Sequence, residues 1–133
     1  MSNGLAYLDA SAFVKLFRHE PESEVLLDLL GHGWGLIGSS EILAVEASRA
    51  ARRVGGDAPV RAARLLATLS LVPLSPELRS QACLVGPPEL RSLDAIHLAT
   101  ALSVRDRVGA VFTYDQRLAE ASADAGLQVV APA

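Results

Sequence analysis

With Cys83 as its only cysteine, the chain has no partner for an internal disulfide, and a reducing compartment is the simple expectation. Aromatics are scarce, at 5%, so a face that stacks successive bases is not the expected device. No apolar run approaches the ~20 residues of a membrane helix. No basic-then-apolar leader precedes the first apolar stretch, so a cytoplasmic protein without a signal peptide or membrane anchor is expected. Positive charge is also in deficit. The formal net charge is -3 and Lys15 is the only lysine, which argues against a strongly basic nucleic-acid module. The basic residues that exist are grouped, with Arg49, Arg52, Arg53, Arg61 and Arg64 close together in sequence.

Half of the residues are hydrophobic and 20% are charged, the balance of a globular chain rather than a disordered one. A length of 133 residues predicts one domain with a real core. No internal repeat, low-complexity segment or linker interrupts it. The apolar run that starts at Leu5 reaches Asp9 and Ser11, after which a helical pattern carries Phe13, Val14, Leu16 and Phe17 over residues 11–18. A second helix follows Pro21, with Val25, Leu26, Leu29 and Leu30 at helical spacing. Gly31, Gly33 and Gly35 mark a loop, and Trp34 to Gly38 reads as a short strand. Ser39 or Ser40 can cap a helix that runs to Val54 and stops at Gly55-Gly56. Asp57-Ala58-Pro59 opens another, Leu71 to Leu74 reads as an edge strand, and Ser75-Pro76 starts a helix that ends near Gly86. Ser92 reads as the cap of a helix apolar almost all round. Gly109 to Thr113 is a buried strand, 114–124 a helix, and Leu127 to Val130 a last strand. Strands alternating with helices predict an α/β fold, a parallel sheet covered on both faces.

In such a sheet the strand C-termini and the helix N-termini that follow share one edge, where ligands bind. Asp9 ends a strand, Asp115 follows one, and Asp94 opens the most apolar helix, so the three can meet there. Glu46 arrives from the helix after the second strand. Each acid also has an ordinary local explanation. Asp9 can be an N-cap, Glu46 can pair with Arg49 or Arg53, and Asp94 and Asp115 can be first-turn acids, with Thr113 capping the last helix. His97, three residues after Asp94 on the same face, reads as a supporting partner or a core histidine rather than a metal ligand. Taken together, clustered carboxylates repel unless protons or a cation neutralise them. An all-oxygen set suits Mg²⁺ or Mn²⁺, whereas zinc favours His and Cys.

Four stretches in order, Leu8-Asp9-Ala10-Ser11-Ala12, Glu46 within Ser39 to Glu46, Leu93-Asp94-Ala95-Ile96-His97-Leu98-Ala99-Thr100-Ala101, and Thr113-Tyr114-Asp115, resemble the PIN-domain ribonucleases. Their order and spacing are most similar to the VapC toxins of prokaryotic toxin–antitoxin pairs. The resemblance spans essentially the whole chain and implies a single PIN domain over residues 1–133, with a central parallel sheet of about five strands flanked by helices. It implies a metal-dependent endoribonuclease, a homodimer neutralised by a VapB-type antitoxin. On that resemblance Asp9 and Asp94 hold Mg²⁺ or Mn²⁺, Asp115 completes the pocket directly or through water, and Glu46 orients or deprotonates the attacking water. Ser11 and Thr113 match supporting hydroxyl positions. Glu41 rivals Glu46 by proximity but lies outside the family spacing.

The expected products are a 5′-phosphate and a 3′-hydroxyl. Arg49, Arg52 and Arg53 are candidate contacts to the RNA backbone, against a solvated helix face as the plain alternative. The antitoxin is expected to lie near Phe13, Leu16 and Phe17 and to send a basic side chain into the acid pocket. A receiver domain would want a lysine after its last strand, and a haloacid-dehalogenase-like phosphatase a second aspartate where Ser11 stands. The remaining alternative is a non-catalytic PIN-like domain that binds RNA or protein through a vestigial pocket.

Overall fold

The computed structural model describes residues 3–133. Chain order runs β1 (Leu5–Leu8), α1 (Ala10–Phe13), a 3-10 turn (Val14–Leu16), α2 (Ser23–Leu30), β2 (Leu36–Ser40), α3 (Ile42–Val54), α4 (Ala58–Leu66), β3 (Ser70–Val72), α5 (Pro76–Ala82), α6 (Ser92–Ser103), β4 (Val108–Phe112), α7 (Gln116–Asp124) and β5 (Val129–Val130). The strands form one five-stranded sheet in the order β3-β2-β1-β4-β5. Every pairing is parallel. The α/β class, the five strands and the edge position of β3 agree with the sequence reading.

The two-residue period of a strand sorts the central side chains to opposite faces. Ala6 and Leu8 of β1, with Ala110 and Phe112 of β4, face a core shared with Phe13, Phe17, Leu26, Leu43 and Ala47. Tyr7 and Val111 face the other way, onto Leu98 and Ala101 of α6 and Leu118 and Ala121 of α7. The sheet is therefore covered on both sides, as a parallel sheet requires. Gly38 is where β2 and β3 need a glycine, because a Cβ there would strike the Ser70 carbonyl oxygen. Gly55, at φ 81°, ends α3 in a conformation that suits glycine.

Several local expectations change. The helix expected over residues 11–18 is one short α-turn followed by the 3-10 turn. The second strand begins at Leu36 rather than Trp34, and α5 ends at Ala82, ahead of Gly86. On α2, Leu26 and Leu30 are buried while Val25, Leu27 and Leu29 are exposed, so its buried stripe is narrower than its apolar content. Ser92 is the first helical residue of α6, and Arg91 is its N-cap with no side-chain cap bond. Phe13 and Phe17 are core residues, exposed by no more than 1%, so of the three side chains expected near the antitoxin only Leu16 is partly accessible. No helix among the described residues is long and apolar enough to cross a membrane.

Candidate active site

Asp9 stands at the C-terminal end of β1 and is 3% exposed. It is the N-cap of α1, with Oδ1 accepting from the Ala12 N–H at 3.0 Å. The Ser11 hydroxyl donates to the same carboxylate, 2.7 Å from Oδ1 and 2.9 Å from Oδ2, and the Thr113 hydroxyl donates to Oδ2 at 2.6 Å. The cap and site readings thus describe one carboxylate. Three donors occupy a group with about four lone-pair positions, so room remains for one further partner. Burial pushes the Asp9 carboxyl above its ordinary value, against the pull of the Thr113 and Ser11 hydrogen bonds.

The two hydroxyls tie β1 to the loop after β4. Thr113 Oγ1 accepts from the Asp115 N–H at 3.0 Å, and Ser11 Oγ accepts from the Tyr114 N–H at 2.9 Å. Thr113 Oγ1 thus bridges Asp9 and the Asp115 N–H, and Asp115 itself caps α7. Its Oδ1 accepts from the Arg117 and Leu118 N–H groups at 2.9 and 3.2 Å. Asp115 is a cap rather than the first-turn acid expected, and Oδ2 accepts no hydrogen bond from a described residue.

Asp94 lies in the first turn of α6, half-buried, with no hydrogen bond to any described residue. Its carboxyl is raised by burial and then by the negative charges of Asp115 and Asp9. Asp94 therefore lies near enough to Asp9 and Asp115, at the C-terminal edge of the sheet, to feel both charges. Their oxygen-only, mutually repelling character suits a hard divalent cation. Among the described residues, however, no three His, Cys, Asp or Glu side chains close on one point as a finished metal site.

Glu46 reaches this edge through His97. The His97 Nε2 to Glu46 Oε1 distance is 2.7 Å, with His97 2% and Glu46 16% exposed at the side chain. The expected pairing of Glu46 with Arg49 or Arg53 is not made. His97 also makes no hydrogen bond to Asp94; its other nitrogen, Nδ1, lies 2.8 Å from the Tyr7 hydroxyl. The rival Glu41 is spent elsewhere, accepting from the Leu74 N–H.

Two participants escaped the sequence reading. In the sequence Tyr7 reads only as part of an apolar strand, although a phenol two residues from Asp9 needs a polar partner when buried. Lys15 is the other. Its ammonium contacts Glu20 at 3.1 Å and Glu22 at 3.0 Å and lies 4.6 Å from the centre of the Tyr114 ring. Beside the acids runs an open groove of about 740 Å³, lined by Ser11, Val14, Lys15, Ile42, Val45, Glu46, Arg49, Arg53, Leu93 and Tyr114 among others. Arg49 and Arg53 thus flank Glu46, while Arg52 does not line this groove. A hollow of about 470 Å³ between α5 and α6 contains no acid or histidine.

A family profile for the PIN domain matches residues 6–124. Ribonuclease VapC35 of Mycobacterium tuberculosis is 42% identical over 131 residues, spanning 96% of this chain and 97% of that protein. Ribonuclease VapC46 of the same organism is 40% identical over 126 residues, spanning 95% and 96%. Among solved structures, M. tuberculosis VapC20, a sarcin-ricin-loop-cleaving toxin, superposes with a TM-score of 0.73 at 20% identity, covering 96% of this chain and 99% of that one. A toxin–antitoxin complex from Klebsiella pneumoniae gives 0.71 at 23% identity, covering 96% and 98%. The sheet order, the acids gathered at its C-terminal edge and this full-length similarity place the chain in the PIN-domain family, among the VapC-type toxins.

Proposed function

We propose that this VapC-family protein is a Mg²⁺- or Mn²⁺-dependent endoribonuclease whose pocket is built on Asp9, Asp94 and Asp115, with Glu46 beside it. The observation that carries the reading is the placing of Asp9 at the end of β1, Asp115 after β4 and Asp94 in the first turn of α6, with Asp94 making no hydrogen bond to a described residue. The ribonuclease names of relatives at 42% and 40% identity support it. Asp9 and Asp94 would hold the ion, with Asp115 joining through its free oxygen or through water. A bound divalent ion supplies charge neutralisation at the phosphate and acidifies water.

The chain's own groups do the positioning. Ser11 and Thr113 fix the Asp9 carboxylate by hydrogen bonds that leave it a position for one more partner. Glu46 orients the attacking water or accepts its proton. Hydrolysis leaves a 5′-phosphate and a 3′-hydroxyl. Arg49 and Arg53, on the groove wall, meet the RNA backbone, and Arg52 extends the basic stripe.

The partner is a VapB-type antitoxin, and the chain works as a homodimer. The antitoxin reading rests on family membership and is moved from Phe13 and Phe17 to the groove of Val14, Ile42, Val45 and Leu93. A basic side chain from that segment would meet the acids.

The test is RNA cleavage by the purified chain with Mg²⁺ or Mn²⁺, with chelator, and by Asp9→Asn. Metal-dependent cutting that falls more than about 100-fold in the folded variant is expected. Cutting that survives chelation, or 2′,3′-cyclic phosphate ends, would overturn the mechanism. A second reading, a non-catalytic RNA- or protein-binding domain, draws on the open spacing of the acids. Absence of both cleavage and divalent-ion binding would favour it.

A further inference from the structure

A polar chain crosses the buried core beneath the site. The Ser40 N–H, at the end of β2, donates to the Tyr7 hydroxyl at 3.2 Å. That hydroxyl lies 2.8 Å from His97 Nδ1, and His97 Nε2 lies 2.7 Å from Glu46 Oε1. Tyr7 is fully buried and His97 nearly so. Buried polar groups cost stability unless each is satisfied, so a connected set of this length in a 133-residue protein needs a reason.

The proton positions follow from the partners. A carboxylate only accepts, so the 2.7 Å contact to Glu46 places a proton on Nε2. In the neutral imidazole Nδ1 is then left to accept, and the group facing it is the Tyr7 hydroxyl. Ser39 and Thr100 also stand beside that hydroxyl. Their own protons are spent on the Leu8 and Ile96 carbonyls, each at 2.6 Å, so neither donates to Tyr7. The Ser40 N–H already donates to the Tyr7 oxygen, which leaves the phenol proton to point at Nδ1. The edge-on packing of the Tyr7 and His97 rings, at 81° and 5.8 Å, fixes the imidazole plane.

The geometry points to Tyr7 and His97 as positioning residues: Tyr7 fixes the tautomer and orientation of His97, and His97 holds one oxygen of Glu46 so that the other faces the groove. The inference rests on the nuclease reading and assigns Glu46 its orientation. It also explains why α6 carries both Asp94 and His97, since one rigid helix then sets the acid cluster and Glu46 in register. His97 acts through Glu46 and needs no contact with substrate.

The experiment is steady-state cleavage at saturating Mg²⁺ of an RNA that the wild-type chain cuts. Tyr7→Phe keeps the ring in the core and removes only the hydroxyl; His97→Phe removes both hydrogen bonds; His97→Gln keeps a donor toward Glu46. Tyr7→Phe and His97→Phe are expected to lower kcat by about 10- to 100-fold with KM and the Mg²⁺ dependence unchanged. His97→Gln should recover part of the loss. The double variant Glu46→Gln, His97→Phe should be no slower than Glu46→Gln alone, as for groups that act as one unit. Losses that multiply would overturn the proposal, as would unchanged kcat in Tyr7→Phe while wild type cuts. Nitrogen NMR of the imidazole gives a readout independent of activity: a proton on Nε2 alone is expected, and a proton on Nδ1, with or without one on Nε2, overturns the scheme. A wild-type chain that binds Mg²⁺ but cuts no RNA would instead overturn the nuclease reading, and this role of His97 with it.

Discussion

Asp9 and Asp94 are the same residue type in different circumstances. Asp9 is buried but takes hydrogen bonds from two hydroxyls and a backbone amide. Asp94 is half-buried, takes none from a described residue, and faces two like charges. The first-turn dipole of α6 favours a carboxylate by only ~0.3–1 kcal/mol, and burial with two acids opposes it. Because the folded-state value is raised, the folded protein binds protons more tightly than the unfolded chain. Stability therefore falls as pH rises from the ordinary 3.8 through the raised value, and stays lower at neutrality. Asp94→Asn removes that loss. In chelator its Tm should exceed wild type at pH 7, and the gap should close on acidification towards the ordinary value. Thermal melts across pH check this; a variant less stable than wild type at pH 7 would contradict it.

At the scale of elements, the first helical turns are held by an unusual clamp. Lys15, 9% exposed, pins the 3-10 turn to Glu20 and Glu22 in the next loop and to Tyr114 in the loop after β4. Burial alone would lower the Lys15 ammonium, but the Glu22 and Glu20 hydrogen bonds outweigh it and the net shift is upward. Glu22 is correspondingly lowered, chiefly by the Lys15 hydrogen bond. A lowered carboxyl contributes stability above its ordinary 4.5 and loses it as pH falls through the folded value. Lys15→Met should melt earlier than wild type at pH 7, leaving two glutamates facing one another, and the difference should shrink in acid. Equal Tm values at pH 7 would show that the clamp contributes nothing. The clamp borders the groove, so the variant should also loosen its rim, seen as faster hydrogen exchange in residues 19–22.

For the molecule as a whole, the parallel sheet assembles the acids. Asp9, Asp94 and Asp115 are far apart in sequence, and it is the shared C-terminal edge that brings their charges together. A fold that concentrates like charge is stabilised by whatever neutralises it. Adding Mg²⁺ or Mn²⁺ should raise the Tm of wild type by mass action, about 2.7 kcal/mol of stability at a hundredfold excess over Kd. The gain should be smaller in Asp94→Asn. Calorimetry in divalent ion and in chelator checks this, and an equal response of the two proteins would place the ion elsewhere.

The sequence by itself determined the alternation of strands and helices, the parallel sheet and the acids at strand ends and helix starts. These are written in local periodicity, in glycine and proline punctuation and in a few short motifs, all of which act over a handful of residues. Only the tertiary structure decided that Asp115 rather than Thr113 caps α7. Thr113 Oγ1 instead bridges, donating to Asp9, 104 positions away, and accepting from the Asp115 N–H, while Asp115 caps the helix. Only the tertiary structure sent Phe13 and Phe17 into the core, since helical spacing alone leaves open which apolar side chains of a short turn are covered. The pairing of His97 with Tyr7 and Glu46 likewise spans 90 and 51 positions. Such contacts depend on strand order and on the face to which a two-residue period turns each side chain, and neither is set until the sheet has formed.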